Sequence, residues 1–207
     1  MNEFFIYMAG HRVQHRSKAV FFQQCFANSQ IHLHIPDLNQ DDFYHLTLTR
    51  QIQQVEAIPP QREITVIDPA WWLVALWLAQ QNLQIKQVVL LAPALDFIHN
   101  SRQVIGDESL RKWQAEGELS LYHYAYQRDE LLSYEFMQDM GLYEDQNLRR
   151  ELPTLILHGI HDEVVPVDIF VNLPQLTRGL LCKLLRAITA CPTCNRNYGR
   201  QFNNFVI

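Results

Sequence analysis

Five short apolar runs, each the length of a β-strand, recur through the first 165 residues of the chain and are bounded by turn residues. Stretches of helical composition separate them, and the stretch from Leu73 to Gln81 is rich in Ala, Leu and Gln. Strands that alternate with helices form a parallel sheet that helices cover on both faces. The sequence therefore predicts an α/β fold with a doubly wound, mainly parallel sheet. The five runs are Phe4–Met8, Ile31–Ile35, Ile64–Ile67, Val88–Ala92 and Thr154–His158.

The residues that directly follow these runs are the first candidates for function. Ligands of open parallel sheets bind at the carboxyl ends of the strands, where the loops meet. Five segments are therefore expected to carry the chemistry. They are Ala9–His15, Asp37–Asp42, Asp68–Trp72, Pro93–Asn100 and Gly159–Pro166.

Composition excludes several classes of protein. Hydrophobic residues make up 48% of the 207 residues, and the formal net charge is −5. Nucleic-acid binding is not expected, because phosphate recognition requires concentrated Lys and Arg. No run approaches the roughly 20 apolar residues of a membrane span, and the first ten residues lack a secretory signal pattern. Four cysteines are too few for a disulfide scaffold. A cytoplasmic protein with no membrane partner is expected.

Two segments depart from the strand–helix pattern. Residues 106–150 are rich in Tyr, Glu, Arg and Gln and show no clear strand, which predicts a helical cap insertion over the sheet. This cap is either a wall of a substrate pocket or a plain packing layer. Residues 170–207 are basic and polar, and we expect an atypical tail that does not complete the sheet beside Leu155–Leu157, although Leu180–Leu185 is apolar enough for a short strand. The predicted division is one domain over 1–169 and the tail.

The segment from Leu157 to Pro166 carries the sharpest chemical motif. A strand ends there in a small turn that presents Asp162, and an apolar pair and a proline follow. This pattern resembles the segment of α/β-hydrolases that bears the catalytic acid. In those enzymes the acid orients a histidine and stabilises its positive charge, and the histidine activates a serine. A strand end with solvated acids is the alternative interpretation.

The resemblance extends over residues 18–67 and 73–169, approximately. The stretches that carry it are IHLHIPDLNQDDFYHLTLTRQIQQVEA, IKQVVLLAPALDFIHN and LPTLILHGIHDEVVPV. They resemble the YqiA/YcfP family of small bacterial α/β-hydrolases, known as esterases. The resemblance implies an α/β-hydrolase fold, a small-molecule ester substrate with a short acyl group, and a Ser-His-Asp triad that needs no metal or cofactor. It assigns the triad acid to Asp162.

The chain departs from this family at the nucleophile elbow. The family has Gly-x-Ser-x-Gly directly after the third strand, whereas this chain has Asp68-Pro69-Ala70-Trp71-Trp72. Glycines are needed in the elbow because the strand-to-helix turn is strained and tightly packed. Ala70 lies nearest to the nucleophile position, and its methyl group cannot attack a carbonyl carbon.

The oxyanion hole and the catalytic base also differ from the family pattern. The first strand should lead into a His-Gly turn that helps to form the oxyanion hole, and Ala9 and Gly10 stand there instead. Together with Trp71 they mark the oxyanion region. The chain has no histidine after His161, which is a sequence neighbour of the acid and poorly placed as its base. The chain is therefore expected to be inactive as an esterase.

A change of reading frame in the gene explains these departures together. Ile188-Thr189-Ala190-Cys191 can be encoded by bases that give Asp-His-Gly-Leu when reading starts one base earlier. Three single-base losses likewise convert Gly-Ser-Ser-Leu-Gly-Gly-Leu into Asp-Pro-Ala-Trp-Trp-Leu. Insertions and deletions in the DNA are the preferred interpretation. The alternative is a catalytically dead hydrolase fold that binds a small ester or a protein partner.

A Cys-x-x-Cys pattern at Cys191 and Cys194 leaves a further alternative, a metal or redox module in the tail. No second such pair and no later histidine supplies the remaining ligands of a zinc site, although Cys182 is near in sequence. A product of the shifted frame is the favoured interpretation, and no metal site is expected.

Overall fold

The computed structural model describes residues 3–6, 22, 26–27, 32–58, 63–68, 72–93, 105–123, 126–143, 148–159 and 180–185. Within these ranges the chain forms eight strands and four principal helices. The strands are β1 (Glu3–Ile6), β2 (His32–His34), β3 (Ile64–Asp68), β4 (Ile85–Leu91), β5 (Glu118–His123), β6 (Arg128–Ser133), β7 (Thr154–Gly159) and β8 (Leu180–Leu185). The helices are α1 (Leu48–Glu56), α2 (Trp72–Gln81), α3 (Asp107–Glu116) and α4 (Glu135–Met140).

Six of the strands form one parallel sheet in the order β2-β1-β3-β4-β7-β8. Each residue of β3 and of β7 is buried. Strands that are covered on both faces have near-continuous apolar runs, which is why these two segments are recognisable in the sequence. The predicted α/β class with a parallel sheet is confirmed.

The helices α1 and α2 pack on each other and differ in how much of their surface is buried. In α1 the side chains of Leu48, Ile52 and Val55 are buried, and Thr47 caps the helix by accepting the backbone N–H of Arg50. In α2 nearly every position from 73 to 79 is buried. A helix that is apolar all round lies inside a core, so α2 lies between the sheet and the layer that contains α1.

The edge of β7 is covered, and here the expectation for the tail is wrong. Strand β8 pairs with β7 along six residues, from Thr154 opposite Leu180 to Gly159 opposite Leu185. An uncovered strand edge leaves backbone N–H and C=O groups without partners. The run Leu180–Leu185 is long enough to form hydrogen bonds with the backbone groups of β7. It is a strand for this reason, although polar residues follow it in the sequence.

The cap insertion contains a β-hairpin as well as helices. Strands β5 and β6 lie between α3 and α4 and pair antiparallel. The expectation that residues 106–150 contain no strand is therefore wrong. Within β5 the side chains alternate, with Leu119, Leu121 and His123 less exposed than Ser120 and Tyr122. This period of two is that of a strand, but polar residues on both sides conceal it in the sequence.

Candidate active site

The carboxyl ends of β1, β3 and β7 lie at one edge of the sheet, because all of its strands are parallel. Strand β1 is the direct neighbour of β3, and only β4 separates β3 from β7. With neighbouring strands about 4.8 Å apart, the ends of β3 and β7 are about 10 Å from each other. The topology therefore brings the loops after β1, β3 and β7 to a common edge.

The site residues predicted from the sequence lie just beyond these strand ends. Ala9 and Gly10 follow β1, Ala70 and Trp71 follow β3, and Asp162 follows β7. All five lie outside the described residues. The structure thus describes the strands from which the site starts, and the assignment of the individual residues stays a prediction.

Asp68 ends β3 with only 1% of its surface exposed, and it lies opposite Leu90 of β4. Burial of a carboxylate is costly unless other groups interact with it. The family elbow begins at this point with glycine and serine. The first residue of the altered segment is therefore accommodated inside the sheet and does not loop out into solvent.

Ala92 follows β4 with a φ of 49°, in the left-handed region that non-glycine residues rarely adopt. Its N–H donates to the carbonyl oxygen of Leu157 at 2.8 Å, which extends the pairing of β4 with β7 by one residue. Buried Pro93 comes next. Such strain costs about 1–3 kcal/mol and often accompanies functional loops. Ala92 lies at the end of β4, which is the strand between β3 and β7.

His158 is fully buried near the end of β7. Its Nδ1 lies 2.9 Å from the carbonyl oxygen of Gly159, so Nδ1–H donates to the backbone. This bond fixes the ring within the strand. The backbone of β7 therefore holds the imidazole of His158 through Nδ1.

The loop after β2 is held in place by Arg50 of α1. The guanidinium donates to the carbonyl oxygens of Asn39 at 3.2 Å and Asp42 at 2.7 Å. Between them, Gln40 and Asp41 have φ values of 48° and 58°. Two successive left-handed residues are unfavourable, and the fixed fork of Arg50 stabilises this conformation.

Asp42 also forms an exposed pair with His45. Its Oδ1 lies 3.0 Å from Nδ1 of His45, and its Oδ2 lies 3.2 Å from Arg50. Partial desolvation raises the pKa of Asp42, but the hydrogen bonds and charge of His45, together with the charge of Arg50, outweigh it and hold the pKa below its usual value. Asp42 belongs to one of the five segments expected to carry the chemistry, whereas its pair with His45 was not predicted. The i, i+3 spacing of the two residues was the available signal.

The tip of the cap hairpin packs against this same loop. His123 is fully buried, and its Nε2 lies 3.3 Å from the side-chain nitrogen of Asn39. Its ring also contacts Phe43 edge-on, with centroids 4.8 Å apart. Nearby, the hydroxyl of Tyr126 donates to Asp41 at 3.3 Å. The cap and the carboxyl end of β2 are thus in direct contact.

Among the residues that the structure describes, no three His, Cys, Asp or Glu side chains lie close enough to hold a metal ion. Cys191 and Cys194 lie outside those residues, so the expectation of no metal site in the tail stays a prediction and the metal or redox module stays its alternative. No helix in the described ranges is long and apolar enough to cross a bilayer.

Solved structures of other proteins share this fold. Est1E from Butyrivibrio proteoclasticus with ferulic acid bound is 16% identical, with a TM-score of 0.73 over 98% of this chain and 85% of Est1E. A protein from Agrobacterium vitis S4, described as a hydrolase, is 16% identical, with a TM-score of 0.78 over 99% of this chain and 88% of its own. Alpha/beta hydrolase domain-containing protein 10 from mouse is 15% identical, with a TM-score of 0.63 over 89% and 78% of the two chains. These identities show the fold alone.

No curated protein sequence matches the chain. A family model does match, over residues 5–173, which is most of the chain. The matched family is YqiA-like, so the resemblance found in the sequence is confirmed. The chain adopts the α/β-hydrolase fold and belongs to the uncharacterised protein family UPF0227.

Proposed function

We propose that the chain has the framework of a serine carboxylesterase for short acyl esters and that, in the sequence given, this framework lacks its nucleophile and its base. The observation that carries the proposal is the meeting of β1, β3 and β7 at one edge of a parallel sheet. In an α/β-hydrolase these strands lead into the oxyanion loop, the nucleophile and the acid. Asp162 follows β7 in the corresponding place.

In such a framework a serine after β3 would attack the ester carbonyl carbon while a histidine takes the hydroxyl proton. Asp162 would hold the imidazolium that results, and backbone N–H groups after β1 and β3 would stabilise the oxyanion. The histidine then returns the proton to the departing alcohol, and water releases the acid from the serine. Est1E, which shares the fold, has been solved with ferulic acid bound, and this supports a small-molecule acyl group as the ligand.

This chain cannot complete the first step by that route. Ala70 has no lone pair with which to attack a carbonyl, and no histidine follows His161 to accept a proton. Removal of a whole triad costs about a million-fold in kcat. The backbone groups that remain would give at most a small residual acceleration.

Hydrolysis of p-nitrophenyl acetate by the purified 207-residue chain tests the proposal. We expect a rate equal to that of buffer and no covalent label from a fluorophosphonate probe, which reacts with activated serines. A reference esterase of the same fold, assayed in parallel, checks that substrate and probe are sound. Serine-dependent turnover that the fluorophosphonate blocks would contradict the proposed inactivity.

A hydrolase fold that binds ligand without turnover is the second candidate. It is favoured by the sheet itself, since β8 covers the edge of β7 and the described strands pair continuously from β2 to β8. The framework is therefore complete enough to bind a ligand even with an altered elbow. Equilibrium dialysis with p-nitrophenyl acetate, recovered intact afterwards, would distinguish a binding protein from a chain that binds no ester at all.

A further inference from the structure

The ring of His123 is enclosed where the cap hairpin meets the loop after β2. Phe43 contacts it edge-on, and the ring of Tyr126 stacks on it with centroids 4.2 Å apart and planes inclined by 20°. Its Nε2 faces the side-chain amide of Asn39, whose residue is 2% exposed. The imidazole is therefore removed from solvent on several sides and has a polar neighbour at each nitrogen.

The hydrogen bonds at the two nitrogens define which proton the ring carries. The backbone N–H of Tyr126 points to Nδ1 at 3.3 Å and is shared with the carbonyl oxygen of His123 at 3.0 Å. An N–H group only donates, so Nδ1 accepts with its lone pair and the ring is neutral with its proton on Nε2. Nε2–H then faces the side-chain amide of Asn39, 3.3 Å away. A half-turn of the Asn39 amide supplies Oδ1, which otherwise has no hydrogen-bond partner among the described residues.

Charged groups surround this contact from three elements. Arg128 of β6 is the cross-strand partner of His123, and its guanidinium lies over the Tyr126 ring, 5.6 Å from the centroid. Glu130, also of β6, accepts a hydrogen bond from Arg128 at 2.6 Å. In the loop after β2, Asp41 accepts from Tyr126, and Asp42 pairs with Arg50 and His45. From α1, Arg50 donates to the carbonyl oxygen of Asn39.

The carboxylates of Asp41, Asp42 and Glu130 each accept a hydrogen bond from a group other than His123. A second proton on His123 would place a positive charge in a buried position beside Arg128 and would direct Nδ1–H against the N–H of Tyr126. Both effects disfavour the protonated ring while the hairpin is closed.

We propose that His123 is a pH-sensitive latch, which closes the cap hairpin onto the loop after β2 when neutral and releases it when protonated. The open hairpin exposes the ring, which then titrates near pH 6.5. Because the open form takes up one more proton, the ratio of open to closed hairpin rises up to about tenfold for each pH unit below that value and is constant above it. This latch does not depend on the proposed esterase framework.

Hydrogen–deuterium exchange of the 118–133 segment at pH 7.5, 6.5 and 5.5, corrected for intrinsic exchange rates, measures the opening. We expect protection of the hairpin to fall about fivefold between pH 6.5 and 5.5, and by only about twofold between pH 7.5 and 6.5. The 154–159 segment of β7 is the internal reference, because it lies in the six-stranded sheet and not in the two-stranded hairpin. Equal hairpin protection at all three values would overturn the proposal.

Three variants sharpen the test. His123→Gln cannot take up a proton, so the fall in protection at low pH should disappear. His45→Gln, which alters an exposed histidine of the same loop, should keep the fall and is the matched control. Asn39→Asp places a carboxylate beside Nε2, which favours the protonated ring, so the hairpin should be better protected at pH 5.5 than at pH 7.5.

The Asn39→Asp variant also keeps the test decisive if His123→Gln fails to fold. A fall of the same size in His123→Gln as in the parent chain would overturn the proposal. So would an unaltered direction of the pH effect in Asn39→Asp.

Discussion

The backbone N–H of Thr49 donates to the carboxylate of Asp139 at 2.9 Å, and its hydroxyl donates to the other oxygen of that carboxylate at 2.5 Å. Thr49 lies in the first turn of α1 and Asp139 lies in α4, 90 residues later. The first N–H groups of a helix have no partners within it and favour a negative charge nearby. A carboxylate from the cap insertion therefore completes the N-terminus of α1 and connects two layers of the fold.

Replacement of this carboxylate should destabilise the protein. In Asp139→Ala the N–H and hydroxyl of Thr49 lose a charged acceptor, and the free energy of unfolding should fall by about 2 kcal/mol. Urea unfolding followed by tryptophan fluorescence measures this. Asp129→Ala, which removes an exposed aspartate of β6, is the matched control and should change stability by less than about 0.5 kcal/mol. Equal losses in the two variants would contradict the capping role.

Arg150 should be the most sensitive arginine near the turn between α2 and β4. Its guanidinium donates to the carbonyl oxygens of Ala79 at 2.6 Å, Asn82 at 2.9 Å and Ile85 at 2.7 Å. Arg150→Ala should lower the free energy of unfolding by about 2–3 kcal/mol.

Arg150→Lys should recover less than half of that loss, because a single ammonium group cannot span the acceptors of a planar fork. Arg149→Ala, at the exposed neighbouring position, is the control and should be nearly neutral. Thermal unfolding of the four proteins side by side gives the comparison. Full recovery by lysine would show that charge alone is sufficient at this position.

The lowered pKa of Asp42 predicts a specific acid dependence. A carboxyl group whose pKa is lower in the folded state stabilises the fold above its unfolded pKa near 3.8, and this contribution disappears as pH falls through the folded value. The pair with Arg50 and His45 is half exposed, so solvent screening keeps its contribution at or below about 1 kcal/mol.

Asp42→Asn should therefore be less stable than the parent at pH 7, and the difference should close as pH falls below 3.8 through the lowered pKa of the folded state. The gap at pH 7 should narrow in 1 M salt, because exposed charges are screened. Asp129→Asn serves as the control, with no gap at either pH. A stability difference for Asp42→Asn that does not shrink as pH falls below 3.8 would assign the effect to shape and not to charge.

The gene should show insertions or deletions near the codons for Met8–Arg16, Asp68–Leu73 and Ile169–Phe170. The reason is that the departures from the family cluster at those points while the sequence between them keeps the family pattern. Resequencing from independent genomic clones measures this directly. A reread that confirms Asp68-Pro69-Ala70 and the printed tail would instead make the chain a true pseudoenzyme and favour the binding function.

The central part of the sheet can be predicted from local sequence pattern. Strands β3 and β7 are buried on both faces, so their apolar character is continuous and visible without any partner. The same local signal predicted a turn with Asp162 directly after β7. The absence of serine at the elbow and of histidine after His161 is likewise a property of the sequence alone.

The contact between the cap and the loop after β2, and the strand that covers the edge of β7, depend on tertiary contacts between distant segments. The contact of Asn39 with His123 joins residues 84 positions apart, and nothing in either local segment indicates the other. Strand β8 forms because β7 presents unpaired backbone groups beside an apolar run, and β5 is a strand because β6 pairs with it. Local sequence pattern predicts strands such as β3 and β7, whose residues are apolar along their whole length. Strands with a weaker pattern, such as β5 and β8, form because their backbone pairs with a strand that is distant in sequence or polar in composition.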